Sequence, residues 1–346
     1  MDQLKRFVNN NIKELVTFGI TIAIILAAGI AKPILFTKEQ FFSLINSILL
    51  WTPLNMTVAM GMMMVIIVRD IDLSVGSAVG FASMVAGICF RDMGFSIPAG
   101  IAVSLGTGLL CGMFNGALIA YLKIPAIIVT LGTINLYRGL AYIVSNRRQI
   151  SGYELPQGMS NVVSRGVSIG PLFLPWMVLI AIGIAVVFYI ILNYSHFGRE
   201  VYAVGSNREG ALLRGINCKK TEFLIFAITG LLCGIAAMMY AARFGYVNPN
   251  RTGNGLEFVV ISATIIGGVS VSGGKGSVPG VFLGCLLLGT VNTVIASVGI
   301  PGTVQNFTYG LIIVLALILD QGVAAMQNKA KLAAYIKPGS AAGVAG

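Results

Sequence analysis

Gly170-Pro-Leu-Phe-Leu-Pro-Trp-Met-Val-Leu-Ile-Ala-Ile-Gly-Ile-Ala-Val-Val-Phe-Tyr-Ile-Ile-Leu-Asn193 carries no charged side chain, and a polar stretch beginning at Tyr194-Ser-His-Phe-Gly-Arg199 follows it. A helix crossing about 30 Å of hydrocarbon needs roughly 17–25 apolar residues, and this run supplies them. The same reading applies at 15–36, 45–68, 73–90, 97–122, 124–144, 222–242, 257–272, 278–298 and 307–325. The pattern predicts an all-α polytopic membrane protein of about ten spans. Trp51-Thr-Pro-Leu-Asn55 marks a kink or break in the second span, because proline removes a helix donor. The eighth span is short and runs into Gly267-Gly268 and Gly273-Gly274.

Composition agrees. Apolar types make up 56% of the 346 residues and charged types 10%, with a mean hydropathy of +0.89. Soluble domains carry about 25% charged residues. So few charges cannot cover a 36.4 kDa globule, which excludes a soluble enzyme. Gly is abundant, at 43 residues, without the Gly-X-Y period of collagen.

The formal net charge is +11. Its basic residues sit between apolar runs, so they read as orientation signals and contacts with anionic membrane lipids rather than with nucleic acid. Placing the N-terminus inside assigns Lys5, Arg6, Lys13, Arg69, Lys123, Arg199, Arg208, Arg214, Lys219, Lys220, Lys275, Lys329, Lys331 and Lys337 to the cytoplasm. Lys32, Lys38, Arg91, Arg147, Arg148, Arg165, Arg243 and Arg251 then lie outside, and Arg138 falls within a span. The bias puts both termini in the cytoplasm. The expected organisation is a cytoplasmic N-terminus at 1–14, a transmembrane domain at 15–325 and a cytoplasmic tail at 326–346, with a first span that is retained rather than cleaved. Five cysteines without paired spacing and a single histidine, His196, offer no metal site.

Several motifs have competing readings. Gly268-Val-Ser-Val-Ser-Gly-Gly-Lys-Gly-Ser277 looks superficially like a phosphate loop, but the G-x-x-x-x-G-K-[ST] spacing fails and its flanks are membrane helices, so it reads as a tight turn. Gly108, Gly112 and Gly116, then Gly230 and Gly234, then Gly280 and Gly284, recur every four residues. Close helix packing is the main reading and a pathway lining the secondary one. Asn115-Gly-Ala-Leu-Ile-Ala-Tyr-Leu-Lys-Ile-Pro125 is similar to Asn292-Thr-Val-Ile-Ala-Ser-Val-Gly-Ile-Pro301, as in an inverted repeat. Gly76-Ser77 with Gly276-Ser277 would instead imply a parallel repeat, and chance similarity outweighs both.

Polar residues inside the apolar runs are candidates for a pathway: Asp72, Ser74, Ser77, Asn115, Thr133, Asn135 and Arg138. Buried carboxylates are costly and tend to be functional, whereas at a span boundary they are merely interfacial. Arg138 has two open readings, snorkelling to the outer interface or lining the pathway. Residues 194–221 form the longest internal loop. Asn207 is placed to cap a short helix containing Glu209, Leu212 and Leu213. Ala211, Leu212 and Leu213 in a mainly polar loop favour a partner's groove over the lipid surface.

Ile71-Asp-Leu-Ser-Val-Gly-Ser77, Ile124-Pro-Ala-Ile-Ile-Val-Thr-Leu-Gly-Thr133, Tyr137-Arg-Gly-Leu-Ala-Tyr142, Phe197-Gly-Arg-Glu-Val-Tyr-Ala-Val-Gly205 and Ile266-Gly-Gly-Val-Ser-Val-Ser-Gly-Gly-Lys-Gly276 occur in order along nearly the whole chain. In these motifs the chain resembles the permease subunits of bacterial ABC importers for monosaccharides, the group of ribose, xylose, arabinose, galactose and autoinducer-2 permeases. The resemblance implies a type II-like importer fold in the bacterial cytoplasmic membrane. It implies two permease copies or paralogues, two ATPase subunits that hold ATP and magnesium, and a periplasmic or lipid-anchored sugar-binding protein. This chain itself would bind no cofactor and catalyse no reaction. The loop residues Phe197, Gly198, Arg199, Asn207, Arg208, Glu209, Ala211, Leu212, Arg214 and Gly215 would receive the ATPase.

The chain also departs from the pattern. Arg69-Asp70 stands where many relatives have Gly-Gly, and Phe258-Val-Val-Ile-Ser-Ala263 follows Leu256-Glu257 where Asp-Ala-Ile-Ala-Ala is common. Thr252-Gly-Asn-Gly-Leu-Glu257 leans towards the autoinducer-2 or deoxysugar branch. A branched-chain amino-acid permease would need countercharges for its substrate's charged ends. Only Arg138 and Asp70 or Asp72 offer them. An ion-coupled secondary transporter would need intramembrane carboxylates, and Asp320, near a span end, is a poor candidate.

Overall fold

The computed structural model describes residues 12–300 together with 304, 307, 310, 311 and 314. Over the described residues the chain is an all-α bundle with one small hairpin. The helices are α1 (Ile12–Ala31), α2 (Lys38–Ile67), α3 (Val75–Met93), α4 (Ile97–Ala120), α5 (Ala126–Ser145), the short α6 (Asn161–Ser164), α7 (Trp176–Tyr194), α8 (His196–Ser206), α9 (Arg208–Leu213), α10 (Cys218–Phe244), α11 (Leu256–Ile266) and α12 (Val278–Val298). Among the described residues eight are long and apolar enough to cross a membrane: α1, α2, α3, α4, α5, α7, α10 and α12. The expected tenth span at 307–325 and the tail at 326–346 lie outside the described residues, apart from Phe307, Gly310, Leu311 and Val314, which are helical.

Helix α2 is the axis. From Thr52 to Ile67 every residue is buried, and a helix that is apolar on all faces belongs in the interior. Of the kink or break expected at Trp51–Asn55, the break does not occur. Pro53 lies inside one continuous helix, because packing on every side holds it and side chains bond back along the turn. Thr52 Oγ1 donates to Ile48 O at 2.8 Å and Thr57 Oγ1 to Pro53 O at 2.9 Å.

Helix α10 runs beside α2 and meets α4 along a glycine seam. A Cβ on Gly108 would collide with Gly230 O, one on Gly112 with Phe226 O, and one on Gly234 would sit 2.6 Å from Ser104 O. Ser104 Oγ crosses the seam to donate to Gly234 O at 2.8 Å. The four-residue glycine spacing is therefore backbone-on-backbone packing. Gly280 and Gly284 do the same on α12, against the backbone of Gly267 and Ala263.

Two expected spans are corrected. The run at 170–193 becomes a helix only from Trp176. Its first part forms strand β2 (Leu172–Pro175), antiparallel to β1 (Gly166–Ile169), with Gly166 opposite Pro175. Pro171 and Pro175 bracket Leu172-Phe-Leu174 and keep it extended. The run at 257–272 is helical only over Leu256–Ile266, 11 residues, about 16 Å at 1.5 Å per residue. That is half of what a bilayer needs. Gly267-Gly268 ends it, with Gly268 at φ 88°, and a turn follows in which Gly273 N donates to Ser270 O at 2.9 Å.

The bundle has two ends. One, here called proximal, carries α8, α9 and the 267–277 turn. The distal end carries residues 146–175, where Ile150 bridges Val247 and Arg148 pairs with Glu154 at 2.6 Å. All five cysteines are free and buried. Cys218, within the 194–221 stretch expected as an internal loop, opens α10.

Candidate functional site

Residues singled out from the sequence gather at two places. The first lies inside the bundle, where α2 and α3 are separated by the non-helical segment 68–74. There Asp72 Oδ1 accepts from Ser74 N at 2.8 Å and from Ser74 Oγ at 2.7 Å. Ser74 Oγ accepts from Asn115 Nδ2 at 2.8 Å. Asn115 Oδ1 lies 2.8 Å from the Tyr137 hydroxyl, which has Cys111 O at the same distance as a second acceptor. Ser77 Oγ donates to Ser74 O at 2.8 Å. Asp72, Ser74, Ser77, Asn115 and Tyr137 are all buried.

Local sequence explains the arrangement. Asp72 accepts the backbone N–H of Ser74, the cap residue of α3, and so holds the entry to that helix as an N-terminal carboxylate does. Asn115 on α4 and Tyr137 on α5 each supply one inward polar position between glycines and aliphatics. Thr133, one turn before Tyr137 and so on the same helix face, is buried and donates to Thr130 O at 3.4 Å. Tyr137 was legible as a polar residue of the fifth span but not as a member of this network.

Asn115→Ala removes the link between Ser74 and Tyr137. Each buried group left without a partner costs about 1–3 kcal/mol. The expected result is a folded protein with a lower melting temperature in detergent, read by intrinsic fluorescence.

Two candidates lie elsewhere. Asn135 is exposed on α5, bonding only weakly back to Leu131 O at 3.4 Å. Arg138 does not snorkel outward. Its Nη1 donates to Thr252 O at 2.7 Å and Pro249 O at 3.1 Å. These carbonyls belong to the segment preceding α11, which folds back into the bundle. Gly76 shows how tightly: a Cβ there would strike Gly253 O and Glu257 Oε2. The starts of α3 and α11 thus face each other inside the protein, each preceded by irregular backbone. Non-helical backbone at such depth is tolerated only within protein or along a wet cavity.

The second place is the 196–215 stretch at the proximal end. It is two helices rather than a loose loop. Ser195 Oγ caps α8 by accepting from Gly198 N at 3.0 Å, and Asn207 Oδ1 caps α9 by accepting from Gly210 N at 3.1 Å. Phe197 is half-buried, and Gly198 is pressed against the backbone of Ile191 and Leu192. Arg199, Glu209, Arg214 and Gly215 are exposed. Ala211 is buried, contrary to expectation, because it packs α9 onto the bundle, while Leu212 and Leu213 are 56% and 90% exposed. Arg208 Nη2 is tied to Glu222 Oε2 of α10 at 2.9 Å.

Beside these helices lies a cavity of about 320 Å³, lined by Arg69, Asp70, Lys123, Val204, Arg208 and Glu222 among others. Burial, with the negative charge of Glu222 adding and Arg208 opposing, raises the Asp70 carboxyl to about 7. Next to it, Ile66, Ile71, Leu73, Ile127, Phe258, Ile261, Ile265 and Val271 line a wholly apolar groove. Among the described residues no three His, Cys, Asp or Glu side chains stand close enough to hold a metal.

The family described as branched-chain amino acid transport system / permease component matches residues 44–317. The chain belongs to this permease family. It is 37% identical over 263 residues to the autoinducer 2 import system permease protein LsrC of Enterobacter sp. strain 638, covering 76% of this chain and 74% of that one. It is 35% identical to the LsrC of Salmonella typhi, covering 82% and 80%, and 31% identical to that of Escherichia coli K12 DH10B, covering 91% and 88%. No solved structure matches. The permease is a multi-pass membrane protein and a transport subunit rather than a catalytic enzyme. Its motif resemblance to sugar ABC importer permeases holds.

Proposed function

We propose that this permease passes a small, neutral, hydroxyl-rich solute into the cell, a monosaccharide or a related molecule of the autoinducer-2 or deoxysugar kind. The observation that carries the substrate class is the state of the buried charges. Asp72 is satisfied by Ser74 and Arg138 by two backbone carbonyls. Neither is held ready for the charged ends of an amino acid, even though the family's description names that substrate. The network of Ser74, Ser77, Asn115, Thr133 and Tyr137 offers hydroxyl and amide groups that exchange partners with a polyol at similar energy. Asn135, exposed midway along α5, fits a wet pathway or a subunit interface better than lipid.

In this reading a pair of ATPase subunits, which bind ATP and magnesium, docks on α8 and α9 from the cytoplasm. A second permease copy or paralogue completes the pathway, and a solute-binding protein delivers from the distal, periplasmic side. Both termini are cytoplasmic. The supporting feature is the α9 tip, where Leu212 and Leu213 are exposed next to Arg214. An apolar helix tip of this kind fits a groove on a partner. The ATPase must bind it differently in its two states, since equal contact shifts no equilibrium.

The test is co-expression with the neighbouring transport genes and reconstitution in liposomes. The expected result is ATP-driven uptake of the neutral polyol that the adjacent binding protein takes up in calorimetry. Uptake of leucine or valine instead would transfer the chain to the amino-acid reading, and accumulation by the lone chain under an ion gradient would remove the ATPase from the scheme.

A further inference from the structure

Arg69 stands at φ 72°, in the left-handed region where glycine sits without strain and a side chain does not. Its side chain makes contacts that a glycine would lack. Nε donates to Gly205 O and Nη2 to Ser206 O, both at 2.8 Å. These are the last two residues of α8, whose terminal carbonyls have no partner within the helix. A cation there also complements the helix dipole. The planar guanidinium fork reaches two successive carbonyls at once, which an ammonium does not do as rigidly.

The same turn of α8 touches the other interrupted span. Tyr202 OH donates to Gly276 O at 2.9 Å. Gly274 N donates to Ile67 O at 2.9 Å. A Cβ on Gly205 would strike Ile67 O, and one on Gly274 would press on Ser206. Helix α8 is thereby fastened both to the connector that feeds α3 and to the turn that follows α11. Those are the two helices whose starts meet inside the bundle. The 320 Å³ cavity beside Arg69 leaves space next to this joint.

We propose that Arg69 is a positioning residue for transport: it binds α8 to the connector that feeds α3, while Tyr202 holds α8 to the turn after α11, so that the three move together. A displacement of α8 then reaches Asp72 and the start of α3 through five residues of connector. The proposal rests on the reading of α8 and α9 as the ATPase contact.

The experiment compares Arg69→Gly and Arg69→Lys with wild type in the full importer reconstituted with ATPase and binding protein, measuring solute moved per ATP hydrolysed. Arg69→Gly suits the backbone and severs both hydrogen bonds. It is expected to assemble with ATPase in the wild-type ratio, to hydrolyse ATP, and to lower solute moved per ATP at least tenfold. Arg69→Lys, with the charge but a single nitrogen in place of the planar fork, should fall between. A wild-type transport ratio in Arg69→Gly would overturn the proposal while leaving ATPase docking intact. Loss of ATPase from the Arg69→Gly complex would overturn it too, since the residue would then serve docking rather than transmission. Failure of the wild-type chain to recruit an ATPase at all would remove the underlying reading and this proposal with it.

Discussion

Leu213→Asp is expected to leave the permease inserted and folded but stripped of its ATPase. The side chain is 90% exposed and contacts little of its own protein, so the fold loses almost nothing. On docking, burying a leucine contributes about 1.5–3 kcal/mol, and a carboxylate in the same apolar groove adds a desolvation cost. Together these weaken association about 100-fold or more, at roughly 1.4 kcal/mol per factor of ten. Co-purification from detergent should show the permease alone, with ATP-driven uptake abolished. Arg214→Glu, also exposed, should give a smaller and salt-sensitive defect. Arg208→Glu is a poorer probe, because it would set a third carboxylate beside Glu222 and Asp70 and disturb the joint between α9 and α10.

Gly230→Leu should be far more destructive, and for a reason inside the membrane. A Cβ at this position meets Gly108 O and the backbone of Gly112. Backbone cannot rotate out of the way as a side chain does, so α4 and α10 must separate along the seam. Overpacking in ordinary cores costs about 1–3 kcal/mol, and this clash with a helix backbone lies at or beyond the upper end. Against a total stability of about 5–15 kcal/mol, the expected outcome is loss of the monodisperse peak in size-exclusion chromatography. Gly132→Leu is the control, since a Cβ at Gly132 meets nothing within 4 Å. It should elute as wild type.

The sequence made the bundle legible because length and hydropathy decide whether a segment crosses a bilayer, and both are local properties. Runs such as 97–122 and 278–298 match α4 and α12 to within two residues. Errors arose where local and tertiary terms compete. Pro53 looked like a break, yet burial on every side of α2 kept the helix whole. Leu172-Phe-Leu174 was apolar enough for a helix, but two prolines made it a strand. The half-length α11 was readable only as a weak span flanked by glycines. That the segment before it turns back inward to face α3 depends on contacts such as that of Gly76 with Gly253 and Glu257, far apart in the chain, and no local pattern encodes them.

The candidate residues divide in the same way. Asp72, Ser74 and Ser77 are neighbours in sequence and stayed neighbours in space, and Asn115 joined them through its position on the inward face of α4. Asn135 and Arg138 shared a span with Tyr137, but helical rotation sends the three side chains to different surroundings. The cap at Asn207 followed from residue type alone. The burial of Ala211 and the pairing of Arg208 required the bundle beneath them.

The enclosure of all five native thiols has a practical consequence. A water-soluble maleimide applied to intact cells or to inverted vesicles should find little to label on the unaltered chain. A cysteine introduced at Leu213 would then report by itself which compartment the α9 tip faces, with no need to strip the natural cysteines first.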